Sequence, residues 1–308
     1  MKKQKISILT PVFNEQDNIK YFYSRTLKTL KVLKNKYEYE IIFTDNFSTD
    51  KTCEEISKII KEDKNVKLIT LSRNFGRNNS QLAGLENSTG DIIFMIDVDC
   101  EDPPEMLIEF LEIYEQGYQH VYGIRNRIKE SLFLYLGAKV FYRVTKLLAD
   151  EELVLDMAEF SLFSSDVKDE ILKTNSSYPF IRAELSAVGF KKHGISYKRT
   201  KRKNGESKYN LVRLAKFAVA GFLTSSSFIL RANAFLGFLM LTINSFFLVN
   251  YLLHKDLNLD ILILINLIIF MFSISSISLY VGRIHTNSLS RPKYIIDFSR
   301  SINFKKTK

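Results

Sequence analysis

The sequence has only two cysteines and four histidines among 308 residues, and each scarcity excludes a class of protein. Cys53 and Cys100 are too few for a disulfide framework. The histidines are scattered without metal-ligand spacing, so we expect each to be a surface or flanking residue, and we propose no catalytic arrangement that contains one. The first residues, MKKQK, lack the apolar stretch and the cleavage site of a signal peptide.

Charge is missing from two long segments, 232–253 and 261–281, which contain no Asp, Glu, Lys or Arg. Each is long enough to cross a bilayer as a helix, although buried helices of a large soluble core are the alternative. The loop between them, 254–260, carries a single Lys, whereas Lys and Arg are frequent in 198–216 and in the tail. The positive-inside rule therefore predicts a hairpin in the cell membrane, with the amino-terminal region and both termini in the cytoplasm.

The remaining composition fits a folded α/β protein, because 46% of the residues are hydrophobic and 25% are charged. The formal net charge is +10, but the basic residues concentrate beside the apolar segments, which favours anionic lipid head groups over nucleic acid as partners. Apolar runs alternate with helical patterns in the first hundred residues, which predicts a mostly parallel, doubly wound sheet. We expect strands at 6–10, 40–44, 66–72 and 92–96, and helices at 18–34, 51–62 and 79–87.

Two carboxylates one residue apart, Asp97 and Asp99, end the apolar run 92–96. Open α/β sheets place their ligands at the carboxyl ends of such strands. Mg²⁺ and Mn²⁺ prefer oxygen ligands, and one or two carboxylates leave coordination positions free for substrate phosphates. The pair therefore predicts a hard-cation site, while the neighbouring Cys100 is expected to be a small filler because thiolates suit softer metals.

A basic helix is expected at 131–148, where Lys139, Arg143 and Lys146 share one face. This face is either an ordinary solvated surface or an interfacial one that offers cations to lipid phosphates. The segment 211–230 is expected to form a second juxtamembrane helix.

Several short motifs follow one another along the chain, and their order is more specific than any one of them. They are TPVFNE (10–15), TDNFSTD (44–50), LSRNFG (71–76), DVDCEDPPE (97–105), YGIR (122–125) and GESKY (205–209). Together they resemble family 2 glycosyltransferases, and specifically the membrane-anchored polyprenyl-phosphate glycosyltransferases, the group of dolichyl-phosphate mannose synthase and bacterial undecaprenyl-phosphate sugar transferases. The resemblance covers nearly the whole chain.

This resemblance implies a GT-A type nucleotide-sugar-binding domain, a divalent cation (Mg²⁺ or Mn²⁺) and inversion at the anomeric carbon. In that layout, 1–210 is the cytoplasmic glycosyltransferase domain, 211–231 a juxtamembrane helix, 232–282 the transmembrane hairpin and 283–308 a basic cytoplasmic tail. The residues implied to border the donor nucleoside are Pro11, Phe13, Glu15 and Asp45. Those implied to hold the metal on the donor diphosphate are Asp97, Asp99 and Glu101, the last where relatives commonly carry Gln.

The same resemblance implies a lipid phosphate as the acceptor. This phosphate is largely anionic at neutral pH, so cationic positioning matters more than a base. The candidates for holding it are Arg125, Lys139 and Arg143. Where bacterial relatives carry D-x-G-D-F-R, this chain has DMAEFS (156–161), so Asp156 is the expected acid/base or orienting group and Glu159 the second choice. Asp156, Asp99 and Arg125 form the expected catalytic set.

A basic loop lies just before the first apolar segment, and the family closes such a loop over the donor diphosphate. Its candidate donor-binding residues are Arg199, Arg202, Ser207 and Lys208. A generic positive-inside flank explains the Lys and Arg of this loop equally well, but it does not explain the GESKY pattern.

The function that these features predict is transfer of one sugar from a UDP- or GDP-linked donor to a polyprenyl phosphate at the cytoplasmic face, feeding cell-surface glycan or lipid modification. A transferase that extends a lipid-linked glycan is the first alternative. Its processive form is disfavoured, because the Q-x-x-R-W motif of processive members needs a Trp and the chain has none. A catalytically decayed, membrane-anchored nucleotide-sugar-binding protein is the second alternative, motivated by the changes at Asn46, Phe47, Ala158 and Ser161. Family members often associate in the membrane, so the resemblance allows a homo-oligomer, although nothing in the sequence counts subunits.

Overall fold

The first half of the domain consists of four parallel strands and the helices between them. The structure is a computed structural model and describes residues 3–125, 157–174, 179–200, 227–254, 259–289 and 291–304. The strands are rich in Ile, Leu and Phe because helices cover both faces of this part of the sheet. Strands β1 to β4 span Gln4–Val12, Tyr37–Asp45, Val66–Thr70 and Ile92–Met95. Helices α1 to α3 span Gln16–Leu33, Thr52–Glu62 and Arg77–Glu86.

Within its described residues, the second half of the domain adds three strands to the same sheet and three helices beside it. A 3₁₀ turn at Pro104–Met106 leads into α4 (Leu107–Glu115), and β5 to β7 span His120–Arg125, Met157–Ser164 and Lys192–Tyr197. Helices α5 and α6 span Ser165–Leu172 and Ile181–Ala187. The strand order is β3-β2-β1-β4-β6-β5-β7, and β6 runs antiparallel to both of its neighbours. The predicted α/β fold is confirmed. Its parallel strands β1 to β4 are continued in the sheet by β6, β5 and β7, whose pairing is partly antiparallel and partly parallel.

The core consists of two apolar layers, one on each face of the sheet. Alternating side chains of β1 enter opposite layers: Ile8 faces the layer that contains Phe22 of α1, whereas Leu9 faces the layer that contains Leu85 of α3. Helices α1, α2 and α4 cover the first face, and α3, α5 and α6 cover the second. This arrangement leaves the carboxyl ends of β1, β2 and β4 at one common edge.

Strand β1 is longer than the sequence predicts, because it continues through Pro11 to Val12. Pro11 pairs in register with Thr44 of β2, while the ladder between β1 and β4 ends at Leu9. A proline lacks the backbone N–H that a ladder needs, so it is tolerated where the neighbouring strand has already ended.

His120, at the start of β5, is not the surface or flanking residue that the sequence suggested. It is 1% exposed and packs against the rings of Tyr122 and Phe163. Neither ring nitrogen has a hydrogen-bond partner within the described part of the chain. Burial, with a smaller effect from Lys192, lowers the pKa of His120 to about 3, so the side chain is neutral.

Helices α7 (Phe228–His254) and α8 (Leu259–Ser288) contain the two uncharged segments, and both are long and apolar enough to cross a membrane. Asn244 and Asn266 exchange two side-chain amide hydrogen bonds of 3.0 and 2.9 Å between the helices. Apolar surroundings offer few other partners for such amides, so this pair holds the helices in register. The expected basic helix at 131–148 and the segment 211–226 lie outside the described residues.

The tail after α8 returns to the sheet and lies along β3, the edge strand. Ile302 exchanges backbone hydrogen bonds of 2.9 and 3.0 Å with Leu68, and Asp297 donates to the carbonyl of Thr70 at 2.8 Å. Covering an edge strand in this way removes a surface on which another chain could pair.

Candidate active site

The carboxylates of the DVD motif lie where the sequence places them, directly after β4. The Ile96 amide donates to the Leu9 carbonyl at 3.1 Å and so keeps the chain alongside β1 for one residue beyond the strand. Cys100 then adopts a positive φ of 56°, and the Glu101 amide donates to Oδ1 of Asp99 at 3.1 Å. This tight turn gathers several acidic side chains at the carboxyl edge of the sheet.

Arg77, the first residue of α3, joins two of the acidic side chains at this edge. Its Nη2 donates to both carboxylate oxygens of Asp97, at 2.7 and 2.9 Å, and lies 2.8 Å from Oε2 of Glu159 on β6. Gln81, one helical turn after Arg77, donates to the same Glu159 oxygen at 2.9 Å. Charge-assisted hydrogen bonds of this kind are strong, so Arg77 fixes Asp97 and Glu159 relative to each other.

A second ionic group lies beside the first and centres on the buried carboxylate of Asp102. Arg125, at the end of β5, donates to Asp102 at 3.0 Å, and the Tyr197 hydroxyl, at the end of β7, donates to it at 2.5 Å. Arg199 pairs with Glu101. Burial by itself lowers the pKa of Arg125, but the negative charge of Asp102 raises it above its ordinary value, so the guanidinium stays charged.

The loop after β2 lies at the same carboxyl edge of the sheet and borders the site on its other side. The carboxylate of Asp45 is fully buried and accepts hydrogen bonds from the Ser48 amide at 3.0 and 3.2 Å. Cys53 of α2 donates to Asp45 at 3.2 Å, and burial together with that carboxylate raises the pKa of the thiol to about 12. Phe47, at the tip of the loop, has a positive φ of 67°.

The nucleoside residues that the resemblance implies lie along the ends of β1 and β2. Pro11 lines the same cleft as Asp97 and Glu159. The Glu15 amide donates to the Thr52 hydroxyl at 2.8 Å, which ties the loop after β1 to α2. Phe13 is half-buried in that loop. The cleft that Pro11 lines therefore joins the ends of β1 and β4 to the acidic side chains that Arg77 pairs with.

Comparison with known proteins assigns the family. The model of glycosyl transferase family 2 matches residues 7–172, which is more than half of the chain. The chain belongs to glycosyl transferase family 2. It is 34% identical to the uncharacterized glycosyltransferase YkcC of Bacillus subtilis, over 97% of this chain and 95% of that protein. It is 30% identical to the prophage bactoprenol glucosyl transferase homolog of Escherichia coli K12, over 95% of this chain and 98% of that protein.

The fold of this glycosyltransferase also occurs in solved structures of low sequence identity. Mannosyltransferase PcManGT from Pyrobaculum calidifontis, crystallised with GDP-Man and Mn²⁺, matches with a TM-score of 0.50 and 13% identity. The match covers 75% of this chain and 64% of that one. It supports the GT-A type architecture that the motifs implied.

The predicted metal ligands of this family 2 enzyme each have a partner in the structure. Asp97 faces Arg77, Glu101 faces Arg199, and Asp99 accepts the Glu101 amide. Within the described ranges, no three His, Cys, Asp or Glu side chains converge as a ready-made metal site. Their donor atoms are all oxygen, which fits a hard divalent cation, so the ligand set stays a prediction whose chemistry is suitable.

The structure brings some of the expected site residues together and is silent on others. Arg125 pairs with Asp102 and Arg199 with Glu101, both just after the DVD motif, and Arg77 pairs with both Asp97 and Glu159. The residues that lie outside the described ranges are Lys139, Arg143, Asp156, Arg202, Ser207 and Lys208.

Four residues whose polar contacts shape the site were not foreseen from the sequence, namely Arg77, Gln81, Asp102 and Tyr197. For Arg77 a signal existed, because a cation that opens a helix just after a strand–loop motif lies at the ligand edge of an α/β sheet. Arg77 and Gln81 are also four residues apart and therefore share a helix face. For Tyr197 no local signal existed, because its role depends on pairing between β5 and β7.

Proposed function

We propose that this glycosyltransferase transfers one sugar from a UDP- or GDP-linked donor to a polyprenyl phosphate at the cytoplasmic face of the membrane. The observation that carries the proposal is the near full-length similarity to bactoprenol glucosyl transferases, at 30% identity. The two apolar helices support it, because an enzyme that uses a lipid acceptor must work at a membrane surface.

The donor would lie in the groove between the loops after β1 and β2 and the carboxylates after β4. Its nucleoside would lie beside Pro11, Phe13, Glu15 and Asp45, and its diphosphate beside the DVD motif. Asp97, Asp99 and Glu101 would hold Mg²⁺ or Mn²⁺, as their oxygen-only donor set suits a hard cation. A cation bound there would offset the negative charge that develops on the leaving nucleoside diphosphate.

Arg77 would share that task on the protein side. Its Nη2 already bridges Asp97 and Glu159, and a guanidinium has five N–H donors in a planar fork. It can therefore bind a phosphate oxygen of the donor while it keeps one carboxylate partner. Arg199, beside Glu101, would add positive charge on the other side, with Arg202, Ser207 and Lys208 in the loop that follows.

The acceptor phosphate would be held by Arg125, with Lys139 and Arg143. The Arg125 side chain is 35% exposed and is oriented by Asp102 and Tyr197, so it presents a fixed cation to an incoming anion. An acceptor phosphate oxygen would form the new bond to the anomeric carbon as the bond from that carbon to the donor diphosphate breaks. Attack from the face opposite the leaving group inverts the configuration, and Asp156 or Glu159 would orient the acceptor.

The test is transfer by the detergent-purified full chain, with undecaprenyl phosphate, Mn²⁺ and a panel of UDP- and GDP-sugars, read by mass spectrometry of the lipids. We expect one monoglycosylated lipid phosphate, whose formation stops with EDTA. Asp99→Asn should abolish transfer, whereas Asp169→Asn, an exposed carboxylate on α5, should leave it unchanged. Transfer retained by Asp99→Asn, or product only from lipids that already carry a glycan, would contradict the proposal.

A further inference from the structure

The tail after α8 does more than cover the edge of the sheet, because it also reaches the loop after β2. Backbone hydrogen bonds hold the tail once before and once after the residues that approach the loop. Near its start, the Ile295 carbonyl accepts the Ser72 amide at 2.8 Å, and near its end Ile302 exchanges two backbone hydrogen bonds with Leu68. Between them, the hydroxyl of Ser301 accepts the Thr70 amide at 3.0 Å. These hydrogen bonds hold the backbone on both sides of Arg300.

Arg300 makes two contacts with the loop after β2. Its guanidinium carbon lies 4.9 Å from the centre of the Phe47 ring, and its Nη2 donates to the Ser48 carbonyl at 3.4 Å. A guanidinium above an aromatic face is attracted by the ring's negative face. Both of its partners belong to the loop whose Asp45 carboxylate accepts the Ser48 amide. A residue from the carboxyl-terminal tail thus fixes a loop that begins at Asp45.

Phe47 needs such support because its backbone has a positive φ of 67°, a conformation that bulky side chains rarely adopt. A glycine would adopt this conformation without steric strain, whereas the Cβ and ring of Phe47 make it unfavourable. A strained residue persists only when its surroundings hold it, and such positions cluster at ligand sites. Here Arg300 covers a ring that is otherwise partly exposed.

We propose that Arg300 is a positioning residue for the nucleoside of the donor: it holds Phe47 and Ser48 so that the loop after β2 forms a wall of the nucleoside site. This rests on the proposed function, which places the nucleoside beside Asp45. The donor site is then built from both ends of the chain. Its carboxyl-terminal contribution comes from a segment that begins directly after a helix able to cross a membrane.

Isothermal titration calorimetry of UDP and of GDP, each with Mn²⁺, into the full-length protein in detergent tests this role. Arg300→Met keeps the length of the side chain and removes its charge, and we expect the nucleotide that wild type binds to bind about tenfold more weakly. Arg300→Lys should recover part of the loss. Lys293→Met is the matched control, because it removes a tail cation that contacts the Thr174 carbonyl instead of the loop, and it should bind as wild type does.

A purely structural role would have a different signature. Hydrogen exchange at the Leu68 and Ile302 amides reports whether the tail stays paired, and we expect this protection to be unchanged in Arg300→Met. In a Phe47→Gly background, where backbone strain and ring are both gone, Arg300→Met should alter the affinity less than about twofold. This second background has no strained residue at position 47.

Three outcomes would overturn the inference. They are unchanged nucleotide affinity in Arg300→Met, a loss of affinity that accompanies loss of tail protection, and an equal loss in the Phe47→Gly background. A wild-type protein that binds neither UDP nor GDP would instead overturn the proposed function, and the assignment of Arg300 with it. Steady-state kinetics separates the two further, because Arg300→Met should raise the donor KM and leave the acceptor KM unchanged.

Discussion

Replacement of Glu40 by Gln should destabilise the domain strongly, because one buried carboxylate connects three strands. The Glu40 side chain is 2% exposed. It lies 3.0 Å from Nζ of Lys5 on β1 and 2.7 Å from Nζ of Lys67 on β3. It also accepts hydrogen bonds from the Ser7 hydroxyl at 2.5 Å and from the Thr89 amide, in the turn before β4, at 2.7 Å. The strands that deliver the site loops are therefore tied together here.

The size of the effect follows from the ionisation of Glu40. Burial by itself would raise the pKa of the carboxyl, but the hydrogen bonds from Lys67, Ser7, Thr89 and Lys5 lower it to about 2, against an ordinary value of 4.5. That difference corresponds to about 3 kcal/mol of stability from the ionised form at neutral pH. Both lysines are partly exposed and can turn to solvent, so we expect Glu40→Gln to cost about 2–3 kcal/mol.

The sign of the pH dependence gives a second check. A carboxyl whose pKa is lowered by folding stabilises the protein fully above its ordinary pKa, and this stability is lost as the pH falls from about 4.5 towards 2. Urea unfolding in detergent, followed by circular dichroism at pH 7 and at about pH 3.5 to 4, measures both the stability cost of Glu40→Gln and its dependence on pH. Glu38→Gln is the control, as Glu38 is an exposed residue of the same strand. A Glu40→Gln midpoint equal to that of the control at pH 7 would refute the reasoning.

Two further predictions concern the site and β5. Arg77→Met should lower kcat/KM for the donor by about tenfold to a hundredfold, because a hydrogen bond to a charged group contributes about 1.5–3 kcal/mol. Arg73→Met is the control: Arg73 is an exposed cation outside the acidic pocket, so its replacement should leave kcat/KM unchanged. Steady-state kinetics with Arg77→Lys would show partial recovery, and wild-type kinetics in Arg77→Met would exclude a role. His120→Phe should flatten the loss of stability on acidification: the folded-state pKa of about 3 lies below the ordinary 6.5, so stability is full above 6.5 and falls as the pH drops towards 3. Thermal unfolding at pH 7 and ~5 tests this, and parallel curves for the two proteins would count against it.

The parallel half of the sheet was predictable because its signals are local. Apolar runs that end in polar turns mark each strand, and the helices between them follow ordinary periodicity, so the predicted bounds differ from the observed ones by a few residues. Strand β6 was not predicted, although its sequence, MAEFSLFS, is rich in apolar residues. It was interpreted only as a divergent acceptor motif. Its antiparallel pairing with β4 and β5 is a long-range property that no single segment encodes.

The residues of the site also divide into those that local sequence predicts and those that depend on long-range contacts. The position of Asp97 and Asp99 follows from the end of β4, a local feature. Their charge partners do not, because Arg77 comes from the next helix back in the chain and Glu159 from β6, more than sixty residues later. Arg300 is more distant still, since its approach to Phe47 depends on how the tail returns after α8.

The backbone of the loops at the ligand edge shows why the sequence motifs predict the location of the site but not its geometry. The loops after β1, β2 and β4 each contain a residue with positive φ that is not Gly: Asn14, Phe47 and Cys100. Such residues cost about 1–3 kcal/mol each and are stable only when other groups hold them. The side chain of Asn14 accepts the Thr49 amide at 2.8 Å, Phe47 lies under Arg300, and the Cys100 carbonyl accepts the Thr200 hydroxyl at 2.7 Å. Each loop is therefore shaped by a contact from another segment, so the motif determines where the site lies and the distant segments determine its form.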